Sequence, residues 1–423
     1  MTDNHQRRFG TSAEEDRISN LPENLIDSIL EKLPIQDAIR TNILSKYWRY
    51  KWTTMTKLVL DKQFSDKFAK KGAFDPNGFI RITNQILNLH KGAILKLYLH
   101  IPDMILDSFQ EVDQWILLLS RNGVRELILA NSNQCYQLPS FVYSSLKLRK
   151  LQFQTACIFN PPLDLQGFLY LKALFFSNVI FGASLHGKLI NLPELKYLKL
   201  MYCINVHHFN IQATNLETLI VITYPDATLP QLSHSQCLTY VLMYTLTSTQ
   251  SVAQAERTKL VTYVRNLPNT LQFSISEKVP TWLPGVANRS RHWGFIDIKL
   301  DDLDQVQGAL FMLRNLPNLE RLSVLKGLPS VNLDEQPAIS YLEASGCSIQ
   351  TFNQLKIVEI LLIEGSKPEL LFIKLLLAHS PILEKMTIQL NGPADAHKSL
   401  NFAKEVMRFR RISANAEMLL LDP

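Results

Sequence analysis

The sequence runs to 423 residues, 46% of them hydrophobic and 19% charged, too long for one ordinary compact core and too apolar for extended disorder. Its formal charge of +6 comes from 44 Lys and Arg against 38 Asp and Glu, and with no run of about five like charges it argues against a nucleic-acid arm. No apolar stretch reaches the roughly 20 residues of a membrane span, and residues 1–16 lack the apolar centre of a signal peptide. The five cysteines, Cys135, Cys157, Cys203, Cys237 and Cys347, form no CxxC pair and read as free thiols, which points to a soluble protein of the cytoplasm or nucleus.

Residues 1–15 read as a disordered tail. From Asp16 the pattern turns helical: Leu25, Ile26, Ile29, Leu30 and Leu33 recur at helical spacing, with Pro22 in the first turn and Glu23 favourably placed against the helix dipole. Pro34 ends that helix, and Ile35, Ala38, Ile39, Ile43 and Leu44 supply the apolar face of a second. Ser45 can cap a third that carries Tyr47, Trp48, Tyr50 and Trp52. Three helices in about 40 residues have too little interior to bury this much apolar surface, so a partner or the rest of the chain must cover part of it.

The run Leu21-Pro22-Glu23-Asn24-Leu25-Ile26-Asp27-Ser28-Ile29-Leu30-Glu31-Lys32-Leu33-Pro34, followed by Arg40-Thr41 and Leu44-Ser45-Lys46-Tyr47-Trp48-Arg49, closely resembles the plant F-box, which expectation places over 16–60. The resemblance implies a Skp-type adaptor as partner, bridging to a cullin-RING core. Carried onto this sequence, it assigns adaptor binding to Leu21, Pro22, Ile26, Ile29, Leu30, Leu33, Pro34 and Trp48, some of which also serve the motif's own core. Leu25 and Ile39 read as packing residues.

Residues 61–90 read as a connector, irregular from Asp61 to Gly78. Beyond it, triplets of the form LxxLxL recur: Ile94-Leu97-Leu99, Val124-Leu127-Leu129, Leu148-Leu151-Phe153, Leu171-Leu174-Phe176, Leu195-Leu198-Leu200 and Leu216-Leu219-Val221. From the second onward their middle residues lie 24, 23, 24 and 21 positions apart, the period of leucine-rich repeats. Each triplet predicts a short strand whose inward side only neighbouring repeats can bury, giving a solenoid arc of parallel strands over 91–349, with outward residues free to bind a target protein. Leu319-Leu322-Val324 and Ile339-Leu342-Ala344 resume the pattern after a departure between Tyr224 and Val286. That departure holds the polar stretch Thr247–Thr258 and a helix expected at Leu260–Leu267. A strand is expected over Phe295–Leu300 and a helix over Leu303–Leu313.

Cys203 and Cys347 fall at the Asn/Cys position of the repeat and read as structural, while Cys157 is one position out of register. A zinc site would have to draw on Cys203, His207 and His208, with His234 and Cys237, a spacing that matches no closed site. Asp301, Asp302 and Asp304 lack the Gly and Glu of a calcium loop and read as solvated charge at a helix start. Arg289, Arg291, His292 and Trp293 set cations beside an aromatic, suited to an acidic target or to a plain surface turn.

The C-terminal section predicts a strand at Leu355–Ile363, a helix at Glu369–His379, a strand at Leu383–Leu390 and a helix from Leu400. Lys367-Pro368-Glu369-Leu370, Leu375-Leu376-Leu377, Pro381-Ile382-Leu383-Glu384-Lys385-Met386-Thr387-Ile388 and Phe409-Arg410-Arg411-Ile412-Ser413 resemble the FBD domain, so 350–423 is expected as an α/β FBD-like cap on the open end of the repeats. The whole pattern resembles the plant F-box/FBD/LRR-repeat proteins. That implies an α/β fold with an N-terminal three-helix F-box, and a substrate-receptor role in a Skp–cullin–F-box ubiquitin ligase, ahead of a repeat scaffold without ligase activity. Walker, GxGxxG, HExxH and GxSxG motifs are missing from the sequence, so no catalysis, cofactor or metal is expected. Some relatives hold a hormone and an inositol phosphate inside the arc, but no ring of inward Lys and Arg marks such a pocket here.

Overall fold

The computed structural model describes residues 21–421 apart from 71–72, 104–108, 122, 134, 144–146, 163–167, 224–230, 234–236, 246–271, 277–290, 327–333, 346–350 and 393–395. The tail at 1–15, the stretch Thr247–Thr258, the helix expected at Leu260–Leu267, and His234, Arg289 and Cys347 lie outside the described residues. The chain divides into two compact units, Met1–Asn133 and Gln134–Pro423.

In the first unit, Pro22 sits in extended backbone before α1 (Glu23–Leu30), and its carbonyl accepts the N–H groups of Leu25 and Ile26 at 2.9 and 3.2 Å. Pro34 does the same for α2 (Ile35–Arg40), accepting from Asp37 and Ala38 at 2.9 and 3.0 Å. A residue with fixed φ and no N–H is well suited to a helix start, so Pro34 opens the second helix as well as closing the first. The third helix expected from Ser45 is instead a series of turns and a short 3-10 helix, Lys51–Thr54. Tyr50 is the cause: it takes a left-handed φ of 69°, and Asn42 Oδ1 holds the break by accepting the Tyr50 N–H at 2.9 Å. Trp48 and Trp52, on either side of it, are both buried.

The stretch expected as an irregular connector is ordered. Lys57–Leu60 is a strand that buries Leu58 and Leu60, Asp61 caps the helix Lys62–Asp66, and Asp75 with Pro76 opens the helix Pro76–Leu89. Phe79 packs between Phe64 and Trp115, with ring centroids 5.9 and 6.0 Å away. Strand Lys57–Leu60 pairs in parallel with Lys96–Ile101, which pairs with Glu126–Asn131. The parallel sheet therefore begins ahead of residue 91.

In the second unit the triplets stand side by side. Leu151, Leu174, Leu198, Leu219 and Val241 are lateral partners on the parallel strands Lys150–Phe159, Ala173–Phe181, Tyr197–Met201, Thr218–Thr223 and Tyr240–Thr245, and all five are buried. At about 1.5–3 kcal/mol for each such side chain, the inward row is what holds neighbouring repeats together. The Phe153 and Phe176 rings stack at 5.0 Å, and Phe181 lies 4.7 Å from Phe209. The sheet continues through Gln272–Ser276, His292–Ile298, Arg321–Lys326, Ile357–Ile363, Lys385–Leu390 and Glu417–Leu421. Strands thus persist through the stretch from Tyr224 to Val286 that departs from the triplet pattern.

Two expectations need correction. Ile339-Leu342-Ala344 is not a strand: it belongs to the helix Gln336–Ser345, in which Ala338, Ile339 and Leu342 are buried, because spacings of three and four serve one face of a helix as well as they serve a triplet. The C-terminal end carries a further strand, Glu417–Leu421, after the helix Ala396–Met407. The preceding strand Ile357–Ile363, helix Lys367–His379 and strand Lys385–Leu390 follow expectation. Glu369 in that helix is almost fully buried. It accepts the N–H groups of Ser366 and Glu364 at 2.7 and 3.1 Å and pairs with the buried Lys326 at 2.7 Å.

Candidate functional site

On α1, two apolar stripes run side by side about 100° apart. Ile26 and Leu30 form the buried one, while Leu25 and Ile29 are 46% and 41% exposed one turn apart. Further along, Leu44, Tyr47 and Tyr50 are exposed and Ile43 is 86% exposed. Isolated exposed apolar residues are ordinary, but six between Leu25 and Tyr50 mark a surface meant to be covered.

This surface sits on a fixed frame. Lys51 Nζ lies 2.7 Å from Glu23 Oε1 at the start of α1 and 4.5 Å from the centroid of the Tyr47 ring. The hydrogen bond and charge of Lys51 hold the Glu23 carboxyl below its ordinary range, and the same bond raises Lys51. Just past the other end of α1, Glu31 Oε1 accepts from Thr56 Oγ1 at 2.6 Å. With both ends tethered, α1 presents Leu25 and Ile29 at a set angle.

Of the residues assigned to adaptor binding from the sequence, Pro22, Ile29 and Pro34 are exposed, Leu21 and Leu33 are half-buried, and Ile26, Leu30 and Trp48 are interior. Leu25, read as a packing residue, lies on the open stripe, and Ile39 is half-buried. Helical spacing shows both stripes and does not say which one the core takes; the exposed tyrosines were visible only as aromatic crowding.

The other chemical candidates resolve into packing. Cys203 Sγ donates to the carbonyls of Met201 and Phe176 at 3.4 and 3.7 Å, and burial pushes its pKa up to about 11, which keeps it a thiol rather than a metal-binding thiolate. The His207 and His208 rings meet edge to face with centroids 4.1 Å apart, Cys237 is exposed, and among the described residues no group of three His, Cys, Asp or Glu is placed to hold a metal ion. Asp302 accepts the N–H groups of Asp304 and Gln305 and caps the helix Leu303–Arg314. Trp293 is buried in its strand, so it cannot offer a ring face beside Arg291, which lies 3.6 Å from Glu320. A chain of hydrogen bonds from Ser65 through His100 to Ser132, at 2.8 and 3.0 Å, looks like part of a hydrolase site. Ser65 is fully buried, which makes it a tie between a helix and two strands.

An open apolar face on tethered helices, joined in sequence to a stack of parallel strands with inward leucines, defines a repeat protein with a small helical module at its N-terminus. Family models agree: the F-box domain matches residues 18–60, the LRR repeats of FBD-associated F-box protein At5g56370 match 112–277, and the FBD matches 352–388. The chain is 30% identical to the F-box/FBD/LRR-repeat protein At1g13570 of Arabidopsis thaliana, across 96% of this chain and 99% of that protein. It is 33% identical to the F-box/FBD/LRR-repeat protein At2g04230 of the same plant over about half of each chain, 51% and 50%. The protein belongs to the F-box/FBD/LRR-repeat family.

Proposed function

We propose that this chain is the substrate-recognition subunit of a Skp–cullin–F-box ubiquitin ligase. The observation that carries the proposal is the open apolar stripe on α1 within the F-box. A Skp-type adaptor would cover Leu21, Pro22, Ile29, Leu33 and Pro34, with Leu25 added to that set, while Ile26, Leu30 and Trp48 hold the face in place from beneath. Covering half-open Leu and Ile side chains returns about 1 kcal/mol each. The exposed residues Leu25, Ile29, Ile43, Leu44, Tyr47 and Tyr50 on this scale supply enough to offset part of the entropy lost on association.

The outward residues of the repeat strands bind the target protein, and the FBD unit closes the end of the stack. The chain itself supplies no reacting group and no cofactor. Its contribution is proximity: the cullin-RING core and its conjugating enzyme carry the ubiquitin, and a target held on the repeats presents its lysine at high effective concentration. Degradation by the proteasome follows, with the complex acting in the cytoplasm, the nucleus or both.

The test is a pull-down of purified chain against a Skp-type adaptor and a cullin, with a Leu21→Ala/Pro22→Ala variant beside the wild type. The wild type is expected to retain both partners and the folded variant to lose both. Retention of neither by the wild type would leave a repeat scaffold whose F-box helices serve only to cap the chain.

A further inference from the structure

Positive charge is concentrated in two parts of the chain, residues 46–71 of the first unit and residues 147–199 of the second. Between Lys147 and Lys199 stand seven Lys and Arg against two acidic residues, Asp164 and Glu194, a net +5 in a protein whose total is +6. The fold brings five of these cations onto three adjacent strands. The N–H of Lys172 donates to the carbonyl of Arg149 at 2.7 Å and that of Lys196 to the carbonyl of Lys172 at 2.9 Å, so these three residues occupy the same strand-start position about 5 Å apart. Lys150 and Lys199 follow on the outward side of the same strands, Lys199 lateral to Phe175. Among the described residues, only Lys196 of the five has an acidic partner, Glu217 at 2.6 Å. Lys150 Nζ lies over the Phe175 ring, 5.1 Å from its centroid.

The other end of the same unit shows how this position is handled when it is left to itself. There Arg291, Glu320, Lys356 and Glu384 take the strand-start position in turn, linked by backbone bonds of 2.7 to 2.8 Å. Their signs alternate, and Glu320 lies 3.6 Å from Arg291 and 3.9 Å from Lys356. That edge neutralises itself. The edge formed by Arg149 and Lys172 does not, and beside it the outward rows carry half-buried apolar side chains, Phe175 and Ile220, on the two strands that flank Lys199.

We infer that the strand face around Lys150, Lys172 and Phe175 docks an acidic peptide segment of the bound target, its carboxylates on the uncompensated cations and its apolar side chains against Phe175 and Ile220. This rests on the repeats being the target-binding part of the protein and names the chemistry of what they take. Two steps across the strands span about 10 Å, the reach of three or four extended residues. Nucleic acid would call for a longer row of phosphate contacts and would leave the apolar rows unused.

The experiment uses the full chain and a fluorescent peptide of alternating Glu and Leu, with its Gln and Leu counterpart and a single-stranded oligonucleotide as comparisons. The Glu peptide is expected to bind in a salt-sensitive way. A Lys150→Glu/Lys172→Glu variant is expected to lose about tenfold or more in affinity, Phe175→Ala to lose less, and Lys404→Glu, an exposed charge reversal in the second unit, to lose nothing. Lys172 is exposed and Lys150 half-buried; an unchanged thermal midpoint confirms the fold, and Lys150→Gln provides a milder substitution with the same expected direction. Equal binding of the Gln peptide, tighter binding of the oligonucleotide, or undiminished binding by the double variant would each overturn the inference. Adaptor pull-down with the same variants separates the two readings. Peptide binding without adaptor binding would sink the ligase role alone, whereas adaptor binding with no charge-dependent peptide binding would sink this inference alone.

Discussion

In the strands after Lys150, the inward residues Leu151, Leu174, Leu198 and Leu219 each meet a counterpart on the next strand, and outward residues such as Phe175 and Ile220 are half-buried. On α1 and the turns that follow it, the chain holds more apolar residues than its small interior can take, so Leu25, Ile29, Ile43, Leu44, Tyr47 and Tyr50 stay in water. The repeat stack completes itself by adding neighbours, whereas the helical module keeps an apolar face open in the chain on its own. Mutations on the open stripe should therefore separate binding from folding cleanly, whereas mutations of buried residues in either part should act on folding.

The widest separation is expected on α1 itself. Leu25→Asp/Ile29→Asp puts two charges on the open stripe, where the free protein keeps them hydrated, and is expected to weaken adaptor binding by about 100-fold or more, roughly 3 kcal/mol, with no change in thermal midpoint. Leu30→Ala empties a fully buried site one residue along from that stripe and is expected to cost about 2–5 kcal/mol of stability, taking fold and binding down together. Calorimetric titration with the adaptor, beside thermal unfolding of each variant, reads both effects. Full-strength adaptor binding by the double Asp variant would show that this stripe is not the docking face.

In the stack, the most buried ion pair among the described residues is Lys326–Glu369, both side chains at least nine-tenths buried and 2.7 Å apart. Glu369→Ala would strand the Lys326 ammonium, leave Glu364 within 3.5 Å as its remaining partner, and remove the acceptor for two backbone N–H groups. Breaking such a pair costs about 3–5 kcal/mol, so a large fall in the unfolding midpoint of the second unit is expected, with adaptor binding through the F-box intact. A fall of well under 1 kcal/mol, the scale of an exposed pair, would mean that water or Glu364 already compensates the lysine.

The same contrast decides what could be read in advance. Inward leucines such as Leu151, Leu174 and Leu198 recur at a fixed period and stand out from sequence alone, because the repeat imposes one environment on all of them. The strand Lys57–Leu60 escaped notice because it precedes the periodic series and leads into a helix rather than a further triplet. Glu417–Leu421 was missed for the mirror reason, as the last strand after a C-terminal helix. At Ile339 and Leu342 the local spacing fits helix and strand equally, and only the packing of the helix Gln336–Ser345 decides. Within the F-box, the spacing shows both apolar stripes of α1 but not that Leu25 lies on the open one, since the choice depends on packing against later elements such as the short helix Lys51–Thr54.

A smaller effect is expected from pH. Burial holds His90 and His100 below their usual 6.5, helped at His100 by Lys62 and opposed there by Asp66 and Asp61. The folded first unit thus prefers both imidazoles neutral. As pH falls through 6.5 the unfolded chain takes up these protons first, so the stabilisation present above 6.5 is lost progressively below it. His292 in the second unit is lowered as well, chiefly by burial, and adds a loss of the same sign. Thermal midpoints across this range should decline on acidification, and His90→Asn/His100→Asn should flatten the part belonging to the first unit; an unaltered slope in that variant would place the titration elsewhere.

The least change is expected where the geometry looks the same. Lys51 and Glu23 lie 2.7 Å apart, the very distance that separates Lys326 from Glu369, yet Glu23 is open to water. Solvent and salt screen such a pair, and ordering two long side chains offsets what attraction remains. Glu23→Gln is therefore expected to leave the unfolding midpoint within experimental error, in sharp distinction to Glu369→Ala. Its influence should appear instead in binding, because Lys51 also carries the Tyr47 ring beside the start of α1. A faster off-rate for the adaptor with an unchanged midpoint would show that the pair orients the docking face, and equal off-rates for Glu23→Gln and wild type would show that α1 is held by its buried stripe alone.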